Sequence, residues 1–233
     1  GVDDVTDENL DRVNAAIALL NTGDVDTAVK IQAIVNQVNT NIATENAIGK
    51  IDTYADDQTN TPTTTDYATA GVDDVTDENL DRVNAAIAQL ATGDVDTAVK
   101  IQAIVDQINT DIATDNAFNI IEDYAASNGT SNSPDEQDFI DVGVENAATN
   151  LEDVNQAIAA LDSSDVNTTL EIQALVDAIN ANELDTDGDK IPDVIDTDDD
   201  NDGLLDTEET DIGGLNPDQD GDGICDGDLA VTN

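Results

Sequence analysis

The chain has 233 residues, of which 54 are acidic and 6 basic, with no His, so its formal net charge is −48. Such a charge repels nucleic acid and anionic membrane at long range and makes cations the natural partners. Aromatic residues are 2% of the chain and Met and Trp are absent, so packing falls to Ala, Val, Ile and Leu, which favours small helical units over one large core.

From the first residue the chain repeats itself. Residues 1–18 recur unchanged as residues 71–88, and the match resumes through residues 94–105, a period of about 70 residues. A third, diverged copy begins near Gly143 and runs to Val176. The chain opens inside a repeated unit, which reads as a piece of a longer polypeptide.

Each copy carries an apolar stripe at helical spacing. Leu10, Val13, Ile17 and Leu20 form one face, repeated as Leu80, Val83, Ile87, Leu90 and as Leu151, Val154, Ile158, Leu161. Thr76 is the expected N-cap of the second copy, with Asp77 and Glu78 in its first turn. A second helix follows the cap Asp96-Thr97 and carries Ile101, Ile104, Val105 and Ile108, matching Ile31, Ile34, Val35, Val38 and Ile172, Leu175, Val176, Ile179. A third helical stretch opens at Thr44 or Thr114 with Ile48, Ile51, Tyr54 or Phe118, Ile121, Tyr124. Three narrow stripes predict three-helix bundles in tandem.

Module boundaries follow from that order: a partial module over 1–42 lacking its first helix, complete modules over 43–112 and 113–182, and a tail over 183–233. The missing helix leaves an apolar groove to be filled from upstream sequence or by a neighbouring molecule. The alternative is one continuous helix over 28–55 shared between units, which Asn39-Thr40-Asn41 weakens without forbidding. In either arrangement no Gly/Ser-rich linker separates the units, so a stiff array is expected. Tyr67 and Phe139 are expected to plug a long connection onto the bundle.

The run Gly71-Val72, Asn79-Leu80, Val83-Asn84, Ala85-Ala86-Ile87-Ala88 and Ile101-Gln102-Ala103-Ile104-Val105-Asp106 resembles the GA-like helical modules that occur in tandem in bacterial surface proteins. The resemblance covers 1–182 and implies tandem helical repeats. Albumin binding, known for some such modules, is not carried over to this longer and more acidic unit.

Two connections, residues 58–65 and 127–134, are rich in Ser, Thr and Asn with one Pro each. They read as solvated loops, with attached glycans as the alternative; Asn128-Gly129-Thr130 and Asn167-Thr168-Thr169 also fit the N-linked acceptor pattern.

The tail holds about a third of the acidic residues in under a fifth of the chain. Asp198, Asp200, Asp202, Leu204 through its carbonyl, Asp206 and Glu209 fall at the one-three-five-seven-nine-twelve positions of a calcium loop, with Gly203 at the sharp turn of position six. The preceding loop offers Asp185, Asp187, Asp189, the Ile191 carbonyl, Asp193 and Asp196, but has Lys190 at position six. A third offers Asp218, Asp220, Asp222, the Ile224 carbonyl and Asp226, with Leu229 at position twelve. Two calcium sites are expected, and a third, weaker one. Asp-rich disordered sequence would not place Ile191-Pro192, Leu204-Leu205 and Ile224-Cys225 at the same two positions of each loop.

Loop starts at 185 and 198 leave no room for a helix between them, which excludes paired helix-loop-helix sensors. The segment from Asp185-Thr186-Asp187-Gly188-Asp189-Lys190 through Ile191-Pro192-Asp193 to Asp196, continued by the next loop, resembles thrombospondin type 3 repeats. The resemblance covers 185–228 and implies a chain wrapped around a string of calcium ions with little regular secondary structure. Cys225 departs from the paired cysteines of that family; it is either a free, buried thiol or is paired with another chain or with a cysteine outside this segment.

The fold class expected is mainly α, tandem three-helix-bundle modules followed by an irregular calcium-stapled tail. Without His, a Ser/His/Asp or Cys/His set or a phosphate-cradling glycine loop, no enzymatic activity is expected. No run approaches the roughly 18 apolar residues of a membrane span, and no leader peptide is visible. These features point to an extracellular, prokaryotic, calcium-binding structural or adhesive surface protein, from a marine or halophilic source by its charge. The alternatives are a self-assembling fibre subunit whose copies complete each other's bundles, and a helical module that binds a partner protein.

Overall fold

The computed structural model describes residues 1–182, 185–188 and 190–198. Among these, eight α-helices follow in chain order and there is no strand: α1 (Leu10–Ala18), α2 (Ala28–Asp57), α3 (Thr64–Ala70), α4 (Leu80–Ile87), α5 (Ala98–Ala126), α6 (Glu136–Asp141), α7 (Leu151–Ala160) and α8 (Thr169–Ala181). Two compact units are formed, residues 1–109 and a second beginning at Thr110, and α5 passes through the division.

The second helix and the third stretch of the sequence reading are one helix. α2 runs unbroken for 30 residues, from its cap Thr27, whose hydroxyl accepts the Lys30 N–H, to Gln58, which ends it in the left-handed conformation. Thr44 therefore opens nothing: it lies inside α2 and its hydroxyl donates to the Thr69 carbonyl at 3.0 Å, as Thr114 inside α5 donates to Asp141 at 2.9 Å. The expected module edges at 42/43 and 112/113 fall within α2 and α5.

In the first unit α2 serves two cores. Its early residues Val35 and Val38 pack with Val13 of α1. Its later residues Ala47, Ile51 and Ala55 pack with Tyr67 of α3, Val83 and Ile87 of α4, and Ile101 and Val105 of α5. From Val38 to Ala47 the helix turns through about 900° at roughly 100° per residue, so the two stripes lie on opposite faces. That reversal lets one helix belong to two packed groups. In the second unit Ile121, Phe139, Val154, Ile158 and Ile172 are buried together, repeating the arrangement around Ile51, Tyr67, Val83, Ile87 and Ile101.

Paired asparagines, with Asn9 and Asn79 buried and Asn150 half-buried, fix the register of each repeat. Asn79 donates through Nδ2 to the Asp74 carbonyl (2.7 Å) and to Asn109 Oδ1 (2.6 Å), while Asn109 donates to the same carbonyl at 3.2 Å. Asn9, Asn39 and Asp4 form the same clamp, and Asn150, Asn180 and Asn146 keep its Asn–Asn bond at 2.8 Å and its bond to the carbonyl at 3.1 Å. The carbonyl belongs each time to a residue of left-handed φ, Asp4, Asp74 or Asn146, a conformation Asp and Asn tolerate better than most residues. A buried polar group without such partners costs about 1–3 kcal/mol. Its bonds to Asn9 and to the Asp4 carbonyl offset the low helix propensity of Asn39, half-buried inside α2.

Thr76 is not the N-cap expected of it. α4 begins at Leu80, the cap position is Asn79, and the Asn79 side chain accepts the Thr76 N–H at 2.8 Å. The plugging role of Tyr67 and Phe139 is found: both are fully buried, on α3 and α6. Burial, with Tyr54 and Asp66 nearby, pushes the Tyr67 phenol above its ordinary pKa, so it stays protonated and donates to Asn84 Oδ1 at 2.7 Å. Phe139 lacks that hydroxyl, and its counterpart Asn155 Oδ1 is buried without a partner among the described residues.

Candidate metal centre

α8 stops at Ala181 with Asn182 in the left-handed conformation, and the acidic segment begins three residues on. Of the residues singled out for calcium, Asp185, Asp187, Ile191, Asp193, Asp196 and Asp198 are described. Asp189, Asp200, Asp202, Leu204, Asp206, Glu209, Asp218, Asp220, Asp222, Ile224 and Asp226 lie outside the described residues, as does Cys225.

The first loop is anchored by its apolar residues. Ile191 and Pro192 are buried, and Ile195 packs onto the core that holds Leu175 and Ile158. The Pro192 carbonyl accepts the N–H groups of Ile195 (2.9 Å) and Asp196 (3.1 Å), closing a turn after the anchor. Together Ile191 and Ile195 line a cleft with Leu161 and Leu175, whose rim carries Asp162, Asp165, Glu171 and Asp196.

The turn glycine missing from position six is replaced in conformation though not in residue type. Lys190 adopts φ 88°, and Gly188 at position four adopts φ 82°. A side chain held at positive φ costs about 1–2 kcal/mol. The loop accepts that cost to make a reversal that a glycine at this position would make freely.

Its carboxylates organise the backbone. Asp185 Oδ1 accepts the Gly188 N–H at 2.8 Å, and Asp193 accepts both the N–H and the hydroxyl of Thr186, each at 2.7 Å. Asp196 Oδ1 accepts the N–H groups of Thr197 (2.7 Å) and Asp198 (3.1 Å). Asp185 Oδ1 and the two Asp193 oxygens, engaged once each, keep lone-pair capacity for a cation, whereas Asp196 Oδ1, engaged twice, leaves that role to its other oxygen. Among the described residues, no three His, Cys, Asp or Glu side chains are gathered closely enough to hold a metal ion. In type the donors suit calcium, a hard cation that takes six to eight oxygens; Asp193, turned onto Thr186, would have to share or release that contact to join them.

The asparagine clamps, the Tyr67–Asn84 pair and the burial of Ile191-Pro192 were missed in the sequence. A signal existed for the clamps, since the same Asn pair recurs 30 residues apart in all three copies. Asn128 and Asn167, the two N-linked acceptor candidates, are exposed. No helix among the described residues is long and apolar enough to cross a membrane. Comparison with family models, curated proteins and solved structures returned no match.

Proposed function

We propose that this chain is a calcium-binding, non-catalytic structural segment of an extracellular surface protein, in which helical repeats of three-helix-bundle type act as a stalk and the acidic tail is stiffened by calcium. The observation that carries this reading is the loop at 185–196, where carboxylates at calcium-loop spacing coincide with a positive φ at the sixth position, held there by a residue other than glycine. The continuity of α2 within the first unit, thirty residues without a flexible linker, supports a stiff repeat. Sites of this kind match millimolar external calcium.

Limited proteolysis with and without chelator, paired with calcium titration calorimetry, tests it. Calcium is expected to protect 185–228 from cleavage and to bind at two or three sites. Equal cleavage rates in both conditions would remove the proposal.

A further inference from the structure

The first repeat has a face that the other two repeats cover. In the second repeat, residues 44–72 of the preceding chain close the core: Ile51, Ala55 and Tyr67 lie against Val83, Ile87 and Ile101. Four polar contacts hold this segment in place. Tyr67 Oη donates to Asn84 Oδ1 (2.7 Å), Asn84 Nδ2 to the Pro62 carbonyl (3.0 Å), the Gly93 N–H to Asp52 Oδ1 (2.6 Å) and Gln58 Nε2 to the Ala88 carbonyl (3.3 Å). In the third repeat residues 114–144 do the same, with Ile121, Ala125 and Phe139 against Val154, Ile158 and Ile172, and Asn155 Nδ2 donating to the Pro134 carbonyl at 2.9 Å.

The receiving groups are all present in the first repeat. Asn14 stands for Asn84, Ile17 for Ile87, Gly23 for Gly93, Val25 for Val95 and Ile31 for Ile101. Among the described residues, no segment covers them as 44–72 and 114–144 cover their counterparts. Asn14 is exposed and Ile17, Val25 and Ile31 are half-buried, where their counterparts are buried. Leu10 and Leu20 are 41% and 43% exposed, while Leu80 and Leu90 are partly covered.

We propose that this face is a docking site for a helix–loop–helix segment with the chemistry of residues 44–72, supplied by another repeat of the same kind. The occupant is specified by what the face would meet. Its first helix presents the Ala47, Ile51, Ala55 spacing and a carboxylate at the place of Asp52 for the Gly23 N–H. Its second helix presents a Tyr or Phe at the place of Tyr67, with the loop carbonyl of the Pro62 position for Asn14. Exchange of 44–72 between two copies of this chain is disfavoured, because Ile51 and Tyr67 are already fully buried in their own core and their withdrawal would open a second face like the first.

The test is run in chelator, which separates its failure from failure of the calcium reading. A duplicate of residues 28–70 is fused before Gly1, reproducing the spacing at which Ala70 precedes Gly71, and amide exchange is followed along α1. Exchange in α1 is expected to slow at least about tenfold, toward the rates of α4. Fusions carrying Ile51→Asp or Tyr67→Asp in the duplicate are expected to give no such slowing. A synthetic peptide of residues 44–72 added to the unextended chain is expected to bind one to one, about tenfold more weakly to Asn14→Ala. Asn14 is exposed, so this variant leaves the first repeat folded. Unchanged exchange in the fused chain, equal protection from the Asp-bearing duplicates, or peptide binding indifferent to Asn14→Ala would overturn the proposal. A dimer of the unextended chain with 44–72 withdrawn from its own core, seen by sedimentation and exchange, would overturn the assigned occupant.

Discussion

Residues 1–18 and 71–88 are the same eighteen residues in two environments. Val13 and Val83 are buried in both, as are the clamp residues Asn9 and Asn79. Asn14 and Ile17 differ from Asn84 and Ile87 because residues 44–72 lie over the second copy and, among the described residues, no counterpart lies over the first. Identical sequence thus carries two kinds of information. One face is completed by the repeat's own second helix, and the other only by the segment that precedes it.

The largest expected effect that sharpens this contrast is cavity formation. Ile87→Ala should destabilise the first unit by about 3 kcal/mol, and Ile17→Ala by about 1 kcal/mol, because only the former empties a fully enclosed site. Segment-resolved hydrogen exchange under denaturant measures both, and equal losses would break the comparison.

A reciprocal pair tests the plug. Tyr67→Phe removes the donor to Asn84 Oδ1 and should cost about 1–2 kcal/mol, whereas Phe139→Tyr supplies the partner that Asn155 Oδ1 lacks and should stabilise the second unit by about 1 kcal/mol. Thermal unfolding of each variant against the parent gives the two signs.

At the tail, Lys190→Gly relieves the positive φ at position six of the first loop. It should raise calcium affinity by about fivefold, corresponding to about 1 kcal/mol. Calorimetry that shows weaker binding would contradict the role assigned to that turn.

The smallest effect is a pH dependence confined to the second repeat. Burial acts to raise the pKa of Asp66, but hydrogen bonds from the Lys50 ammonium and from Thr63 outweigh it and leave the value below the ordinary one. The folded state therefore binds this proton less readily than the unfolded chain. The contribution is present above the ordinary carboxylate value of about 4 and is lost as pH falls through the depressed folded value. Lys50→Ile, the residue found at the equivalent position 120, should flatten the acid limb of a stability–pH curve for the first unit.

Much of the helical layout was legible. The stripes at Leu80, Val83, Ile87 and at Ile101, Val105, Ile108 mark helices that exist, and Thr97 accepts the Lys100 N–H at 3.4 Å as expected of the cap there, as Thr27 and Thr168 do for Lys30 and Glu171 in the other copies. The continuity of α2 was legible only as an alternative. Low propensity at Asn39-Thr40-Asn41 argued for a break, and the compensation comes from Asp4, 35 residues away in sequence. Thr76 fits a cap by pattern, but the Asn79 clamp sets the start of α4 at Leu80. In the tail the spacing singled out a loop at Asp185, while the positive φ of Lys190 and the burial of Ile191 and Pro192 needed three dimensions.

By itself the sequence determined the repeat, the helical faces, the extreme negative charge and the order of carboxylates in the tail. All of these are local or compositional and are written in spacings of a few residues. Tertiary structure alone decided that one helix serves two cores, that paired asparagines clamp a left-handed turn, and that two identical stretches differ in burial. Each depends on groups tens of residues apart meeting in space, and a buried donor or apolar face gains its free energy only from the partner it meets there.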